Sequence, residues 1–424
     1  MQIMRKMKDS GIEWIGEIPE GWEVGQIGQL YSERRTKVSD KDYPPLSVTM
    51  KGILPQLSTA AKTDAHDDRK LVCKGDFAIN SRSDRRGSCG ISEQDGSISL
   101  INIVLQPRGE MNPGYYNWLF HTSMFADEFY KWGHGIVDDL WTTGWSDMKK
   151  IGVPVPSKCE QKQLAEHLNF ECSNIDTILS KTRSNIEEYK KLKQAVITQA
   201  VTKGVRGERK MKDSGVECIG KIPTTYSICK LKYLLKNPLK YGANESGIPY
   251  SDSLPRYIRI TDITPDGNLK YTGKLSLSEE SAKDYILEDG DILFARSGAT
   301  VGKTFIYYQS YGRSAYAGYL IKASLNNKVS PKFVYYYTCS SLYEIWKNSI
   351  FIQSTIQNIG ADRYANLPVP VPKTLQEQEE IADYLDAKCA EIDGLIAKKE
   401  QLVKELESYK KSLIYEVVTG KREV

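Results

Sequence analysis

The stretch MKDSGIEWIGEIP, from Met7 to Pro19, recurs as MKDSGVECIGKIP from Met211 to Pro223. Ten of the thirteen residues are identical, at a spacing of 204 positions. A shared turn type does not preserve that many side chains, so the repeat indicates a duplicated chain. The full length of 424 residues suffices for two ordinary domains with hydrophobic cores of their own.

A second repeat extends the duplication to the end of the chain. EQKQLAEHLNFECSNIDTILSK begins at Glu160, and EQEEIADYLDAKCAEIDGLIAK begins at Glu377 without a gap. VPVP precedes both blocks, at 153–156 and 369–372, whereas the intervening segments 75–91 and 290–306 correspond in place with little identity. The order is therefore half, helix, half, helix, with matching ends and divergent middles.

Both repeated blocks predict long helices. Residues 157–203 contain neither proline nor glycine, and an unbroken helix of that length spans roughly 70 Å. Each block opens with a capping box and closes on a glycine suited to a left-handed C-terminal position. These signals are Ser157-x-x-Glu160 with Gly204 in the first block and Thr374-x-x-Glu377 with Gly420 in the second.

Each helix carries an apolar stripe at heptad spacing. In the second block it comprises Ile392, Leu395, Leu402, Leu406, Tyr409 and Leu413, with Lys399 as a break. In the first block it comprises Ile175, Ile178, Tyr189, Leu192 and Val196, interrupted by Thr182 and Asn185. Because each stripe must be buried, we expect the two helices to pair with each other, antiparallel. The alternative is that each helix covers only its own domain.

The divergent middles predict sheets. GDFAIN, SISLINIVLQP, GDILFA, GKTFIYY and AGYLIKAS are short β-branched or aromatic runs bounded by turn residues, and short helical stretches follow them. We therefore predict an α+β fold, in which each half is a compact domain with a curved, mostly antiparallel sheet.

The sequence offers no assembled catalytic centre. SGATVGKT, at 297–304, has Ser297 where a phosphate-binding loop needs its first glycine, and strand-like sequence follows it, so we predict a hairpin loop. The four histidines are dispersed and the eight cysteines show no C-x-x-C spacing. The acidic loop DAHDD, at 64–68, is more typical of solvated surface than of a metal site. A net charge of +4 suits an acidic partner but is weak evidence alone.

Polar side chains suited to nucleic acid occur in equivalent places of the two middles. The loop SRSDRRGS, at 81–88, corresponds to ARSGATVGKT, at 295–304. Arginine pairs bidentately with guanine or phosphate, and hydroxyl groups contact either. For any single residue the alternative is an ordinary solvated turn, but the pairing of the loops across the duplication favours binding. The candidate DNA-contacting residues are Arg34, Arg35, Lys37, Arg82, Ser83, Arg85, Arg86, Trp141, Thr142, Thr143, Arg256, Arg259, Thr261, Arg296, Ser297, Thr300, Lys303, Gln353, Ser354 and Gln357.

These motifs resemble one known family. The recurring MKDSGIEWIGEIP, the VPVP segments that lead into the EQ-to-ID helices, and GDILFARSGATVGKT between them closely resemble specificity (S) subunits of type I restriction-modification systems. The resemblance covers essentially the whole chain. It implies target-recognition domains at 1–156 and 207–372, separated by conserved helical spacers at 157–206 and 373–424, in a pseudo-two-fold arrangement.

The resemblance also implies a function. Each recognition domain would read one half of a gapped double-stranded DNA target, while the helices set the gap and dock two modification (methyltransferase) subunits. The full complex adds restriction-translocase subunits. This chain would have no catalytic site, bind no metal and hold no cofactor, with S-adenosylmethionine, ATP and magnesium carried by the partner subunits. Since no apolar run could span a membrane or serve as a signal peptide, we expect a cytoplasmic protein.

Two hypotheses from other classes stay open at this point. The chain could be a coiled-coil scaffold whose globular domains bind no DNA, or a stand-alone metal-dependent nuclease. The first would keep its protein partners after loss of the arginines in the 81–88 loop, and the second would cleave DNA as a purified chain.

Overall fold

The computed structural model describes residues 5–56, 66–135, 141–264, 267–298, 300–352 and 358–424. The chain forms two compact units, of which the first comprises Met1–Arg183 with Gln401–Val424 and the second Ser184–Glu400. Each long helix thus contributes to both units. The predicted boundaries at 156, 206 and 372 follow chain order and stay predictions.

The first unit is built on short antiparallel sheets. One has the strand order β10-β9-β12-β4 and another the order β11-β8-β5, and β3 pairs with β13 beside them. In chain order the elements before the first long helix are β1 (Met7–Asp9), β2 (Glu17–Pro19), β3 (Glu23–Gln26), α1 (Ile27–Leu30), β4 (Tyr31–Glu33), β5 (Lys37–Val38), β6 (Leu46–Thr49), β7 (Gly52–Pro55), β8 (Arg69–Val72), β9 (Phe77–Asn80), β10 (Cys89–Ile91), β11 (Gly96–Ser99), β12 (Asn102–Pro107), α2 (Pro113–Phe120), α3 (Ser123–Lys131), α4 (Trp145–Met148) and β13 (Gly152–Val155).

The second unit repeats this plan after the first long helix, α5 (Lys158–Lys203). One sheet has the order β17-β24-β21-β22, another the order β18-β20-β19-β23 with β19 parallel to β23, and β16 pairs with β25 as β3 does with β13. The elements are β14 (Met211–Asp213), β15 (Lys221–Pro223), β16 (Tyr226–Lys230), β17 (Lys240–Tyr241), β18 (Ile248–Pro249), β19 (Arg256–Ile258), β20 (Leu275–Ser276), α6 (Glu279–Ala282), β21 (Ile292–Ala295), β22 (Thr304–Ile306), β23 (Ser314–Tyr316), β24 (Leu320–Ala323), α7 (Pro331–Thr338), α8 (Ser341–Ile352), α9 (Ala361–Ala365), β25 (Pro368–Pro372) and the second long helix, α10 (Leu375–Val418). The mixed α+β fold and the internal duplication are confirmed.

The ends of the long helices follow the predicted signals with one difference. The Ser157 and Thr374 hydroxyls accept backbone N–H bonds of 3.3 and 3.4 Å from the glutamates three residues on. Those two glutamates do not complete the capping boxes; the Glu160 side chain pairs with Arg5 and the Glu377 side chain with Arg209. The closing glycines, 204 and 420, adopt φ of 76° and 71°, which other residues rarely reach.

Each unit contains an antiparallel pair of helical segments. In the first unit Lys410 of α10 binds Asp176 of α5 at 2.6 Å, and in the second Lys193 of α5 binds Asp393 of α10 at 2.6 Å. The two pairs are the same interaction seen twice, since 217 positions separate both the aspartates and the lysines. The predicted pairing of the helices is confirmed.

Each long helix buries two heptad rows, and only one of the two was predicted correctly. Positions 175, 182, 189 and 196, with their counterparts 392, 399, 406 and 413, are buried or half-buried, so Thr182 is a seam residue. The companion row was wrong by one residue. The second buried row lies at 172, 179, 186 and 193, with 389, 396, 403 and 410. Of the predicted second row, Ile178, Leu192, Leu395 and Tyr409 are exposed, and Leu402 is half-buried. Both choices have heptad period; packing against the domains selects between them.

A buried glutamine joins each long helix to its domain. The Gln161 side chain donates to the Pro156 carbonyl and accepts from the Asn112 N–H, both at 2.8 Å. Asn112 caps α2, and the proline at the first position of that helix has no N–H that would need an acceptor. In the second unit Gln378 makes the same bridge between the Pro372 carbonyl and the N–H of Ser330, which precedes α7.

We predict that Gln161→Ala lowers the free energy of unfolding of the first unit by about 1–3 kcal/mol, because a buried carbonyl and a buried N–H lose their partner. Urea unfolding followed by tryptophan fluorescence measures it, since six of the seven tryptophans belong to this unit. Gln163→Ala, two positions on and exposed, is the matched control. Equal midpoints for the two variants would contradict the bridging role.

Candidate nucleic-acid interface

The predicted loop of the first unit and the segment at 141–143 lie side by side. Residues 81–88 join β9 to β10, and Arg82 forms a β-bridge with Thr142. The Ser83 N–H donates to the Trp141 carbonyl, and the Thr143 N–H donates to the Ser81 carbonyl, each at 3.0 Å. Two segments some sixty residues apart in sequence thus form one surface.

The second unit repeats the arrangement with other side chains. The loop after β21 leads into β22 as a hairpin, and Ser297 forms a β-bridge with Asn358. The Ile359 N–H donates to the Arg296 carbonyl at 2.9 Å, as Thr143 does to Ser81. Because a strand follows, the predicted hairpin in place of a phosphate-binding loop is confirmed. Gln353, Ser354 and Gln357 lie outside the described residues.

Three arginines of the first loop are exposed. Arg85 lies 3.6 Å from its neighbour Asp84, and the Arg86 guanidinium pairs with Asp127 at 2.6 Å while resting 5.3 Å from the centre of the Tyr130 ring. Arg82 projects from the bridged position. Exposed pairs of this kind contribute little to stability, so DNA phosphates can displace them.

Other candidates face the interior. The Thr143 hydroxyl donates to the Phe129 carbonyl at 2.8 Å in a fully buried position, and the Trp141 indole N–H donates to the Tyr130 carbonyl at 3.0 Å. Both side chains are thus engaged within the fold, below the 81–88 loop that their segment contacts. Their contact with DNA stays a prediction, and of the 141–143 segment Thr142 holds the position next to the arginines.

Three predicted arginines have partners within the fold. Arg34 binds the buried Asp76 through two hydrogen bonds, of 2.6 and 3.1 Å, which raise the pKa of its guanidinium. Arg259 makes the same fork with Asp262, with the same effect on its pKa. Arg256 is buried, which lowers the pKa of its guanidinium, and donates to the Lys270 carbonyl. The geometry favours structural roles for all three.

The remaining candidates are scattered over the two units. Arg35 pairs with Glu33 and Lys37 with Asp68 on the surface of the first unit. Thr261 is exposed, whereas Thr300 and Lys303 are half-buried in the second loop. Lys303 lines a groove of about 680 Å³ beside α7.

The second unit also exposes aromatic residues that the sequence reasoning missed. Arg296 lies over the Tyr241 ring, 5.1 Å from its centre. Tyr319, whose carbonyl accepts the Arg296 N–H, is exposed. Elsewhere Lys274 lies 5.0 and 5.9 Å from the rings of Tyr250 and Tyr271. The available signal was composition: the chain has 26 tyrosines, and many of them fall between the repeats of the second half.

Within the described ranges, the usual signs of a metal centre or a membrane segment are missing. No three His, Cys, Asp or Glu side chains there could share a metal ion, and His66 of the acidic loop contacts Asp40. Among the helices of the same ranges, none combines the length and the apolar character that a bilayer span requires.

Comparisons with known proteins agree with this architecture. The family model for the type I restriction modification DNA specificity domain matches residues 249–405. The MjaVIII specificity subunit of Methanocaldococcus jannaschii, a type I restriction enzyme subunit, is 24% identical, over 95% of this chain and 93% of that protein. Residues 249–405 thus belong to the type I restriction modification DNA specificity domain family, and the chain as a whole is similar to type I specificity subunits.

Other members of this family match over similar lengths. The EcoKI specificity subunit of Escherichia coli is 21% identical, over 90% of this chain and 84% of its own. A chain from a structure of a type I R-M system superimposes with a TM-score of 0.75 at 13% identity, covering 96% of this chain and 99% of that one. The HsdS subunit from Thermoanaerobacter tengcongensis gives 0.53 at 14% identity, over 96% and 98%. These structures establish a shared fold, and the family assignment does not favour the scaffold or nuclease hypotheses.

We predict that Arg34→Ala lowers the free energy of unfolding of the first unit by about 3 kcal/mol, because the buried Asp76 loses its counter-charge. Arg85→Ala, on the same unit but exposed, should change it by less than about 0.5 kcal/mol. Urea unfolding measures both. An unchanged midpoint for Arg34→Ala would return this residue to the set of available DNA contacts.

Proposed function

We propose that this chain is the DNA-recognition subunit of a type I restriction-modification complex, and that its two recognition domains each read one half of a gapped target. The observation that carries the proposal is a surface that occurs in both units. In each, a hairpin loop is bridged to a distant segment and receives one equivalent backbone N–H bond from it, while the side chains differ. A common frame with different polar groups suits two unlike half-sites. The long helices would set the gap between them.

The exposed cations would supply the part of the affinity that does not depend on sequence. Lysines and arginines that neutralise phosphates release counterions, so binding should weaken steeply with salt. Arg82, Arg85 and Arg86 surround the bridge of the first unit, where backbone contacts would fix the register and one or more side chains would reach base edges.

We further propose that the chemistry belongs to partner subunits. Methylation would use S-adenosylmethionine on modification subunits, and cleavage would use ATP and magnesium on restriction-translocase subunits. This chain would serve in the cytoplasm, where the host DNA lies, as the part that selects the target.

A repeated apolar surface supports docking of two modification subunits. In the first unit Ile178 and Tyr409 are 46% and 44% exposed; their counterparts in the second unit are Leu395 and Leu192, 37% and 49% exposed. A groove lies along the helices in each unit, of about 600 Å³ in the first and 680 Å³ in the second. Equivalent residues line the two grooves: Trp118, Asn169, Cys172 and Asp176 in one, and Tyr336, Asp386, Cys389 and Asp393 in the other.

The DNA-recognition role is tested by a methylome. DNA from cells that express the chain with its cognate modification subunit is sequenced by a single-molecule method, against cells that lack only the chain. A new two-part methylation motif with an unspecified gap, present only with the chain, is expected. Unchanged methylation in cells where the two proteins form a complex would contradict the proposal.

We predict that replacing Arg85 and Arg86 by alanine relaxes or abolishes recognition of one half of that motif and leaves the other half intact, because both residues belong to one unit. The methylome of the double variant measures it. Uniform weakening on all DNA sequences would instead mark these arginines as phosphate contacts. The exposed pair Arg313 and Glu279 of the other unit supplies a control, Arg313→Ala.

We predict that Ile178→Glu removes one of two bound modification subunits and that Leu395→Glu removes the other, because burying an unpaired carboxylate in an interface is unfavourable. Native mass spectrometry of the purified complex measures the stoichiometry. Ser184→Glu and Gln401→Glu, exposed on the same helices and outside both grooves, are the controls. Two modification subunits retained by the Ile178/Leu395 double variant would exclude this stripe as the docking surface.

A further inference from the structure

Arg296 is half-buried and has an unusual environment for an arginine. It follows β21, and its backbone is fixed on both sides, by a 3.0 Å bond from its N–H to the Tyr319 carbonyl and a 2.9 Å bond to its carbonyl from the Ile359 N–H. Its guanidinium lies over the Tyr241 ring, and its Nε is buried without a hydrogen-bond partner among the described residues. The protein therefore holds this side chain in place, while no described residue accepts a hydrogen bond from its guanidinium.

Tyr241 is itself anchored. Its hydroxyl accepts the Ala361 N–H at 3.0 Å, which ties the ring to the segment that begins at the bridged Asn358. The ring is 41% exposed, so it supports Arg296 at the surface rather than within the core. Stacking on an aromatic face restrains the planar guanidinium and reduces the entropy that it loses on binding.

Arg296 differs from the surface arginines that pair with an acidic side chain. Arg86 rests on a tyrosine ring in the first unit but pairs with Asp127, and Arg259 and Arg313 form bidentate pairs with acidic side chains. No side-chain acceptor among the described residues neutralises Arg296. With Nε buried, its two terminal nitrogens remain for a ligand that presents two acceptors side by side.

We propose that Arg296 reads a guanine in the half-site of the second unit, through bidentate hydrogen bonds to the O6 and N7 atoms, and that Tyr241 is its positioning residue. The inference rests on the proposed function and names the base that one side chain selects. Guanine presents this acceptor pair in the major groove. A phosphate also accepts two bonds, but phosphate contacts do not require a fork restrained at a bridged loop; the experiment separates the two.

Among the described residues of the first unit, a serine takes the place that Arg296 has in the second. The residue whose carbonyl accepts the equivalent N–H bond is Ser81, and its buried hydroxyl donates to the Ile101 carbonyl at 2.6 Å. The following position reverses the difference, with Arg82 in the first unit and Ser297 in the second. Loss of the Arg296 contact should therefore affect one half of the target only.

The test uses the complex of the full chain with its modification subunit and fluorescence anisotropy on the duplex that the methylome defines. Each guanine is replaced in turn by 7-deazaguanine, which lacks the N7 acceptor. We expect one guanine, in one half-site, at which the wild-type affinity falls roughly tenfold. Arg296→Lys, which keeps the charge and loses the fork, should bind the normal duplex roughly tenfold more weakly and should be insensitive to that replacement.

The controls address positioning and fold. Tyr241→Phe keeps the ring and should retain the guanine preference, whereas Tyr241→Leu should lose most of it. Arg313→Lys should behave as wild type. The inference would be overturned if Arg296→Lys responded to each guanine replacement as the wild type does. It would also be overturned if Arg296→Lys bound all duplexes equally more weakly, because that result indicates a phosphate contact. A wild-type complex that binds target and scrambled duplexes equally would overturn the proposed function itself.

Discussion

The antiparallel pairing of helical segments is the constraint on which the rest of the structure depends. In each unit a segment of α5 and a segment of α10 bury a heptad stripe, and a lysine–aspartate pair crosses between them. An exposed ion pair adds little stability, but its geometry selects one register over its neighbours. The same helical segments then receive the domain helices α2 and α7 through buried glutamines. The domain that carries each candidate surface is thus attached directly to a long helix.

Duplication followed by divergence explains how one chain has two surfaces with the same backbone arrangement and different side chains. The residues that match between the halves are those that hold the frame: the strand pairs, the glutamine bridges and the arginine–glutamate pairs at the helix starts. The residues that differ are those displayed by it. At one backbone position Ser81 turns inward and Arg296 turns onto a tyrosine ring, although their carbonyls accept equivalent bonds. The side chains of the loops can therefore change without a change in the architecture.

The helix prediction shows where periodicity stops being decisive. Residues 175, 182, 189 and 196 were placed correctly because both candidate stripes contain them. The second row could follow three residues later, at Ile178 and Leu192, or four residues later, at Leu179 and Ile186. Both rows are apolar, so the sequence pattern did not separate them. The domain core and the partner helix bury the second choice and leave the first exposed.

The sequence by itself determined the duplication, the two long helices with their caps, the hairpin loops and the family, because identity at fixed spacing, heptad period and turn chemistry are local properties of the chain. Only the tertiary structure decided which arginines have a partner within the fold and which are free to bind a ligand. Arg34 looks like Arg85 in sequence, yet Asp76, 42 residues later, binds it across the fold. The support of Arg296 by Tyr241, fifty-five residues earlier, has the same origin. The partners of a charged side chain depend on which distant segments the fold brings within hydrogen-bond distance, and no local pattern contains that information.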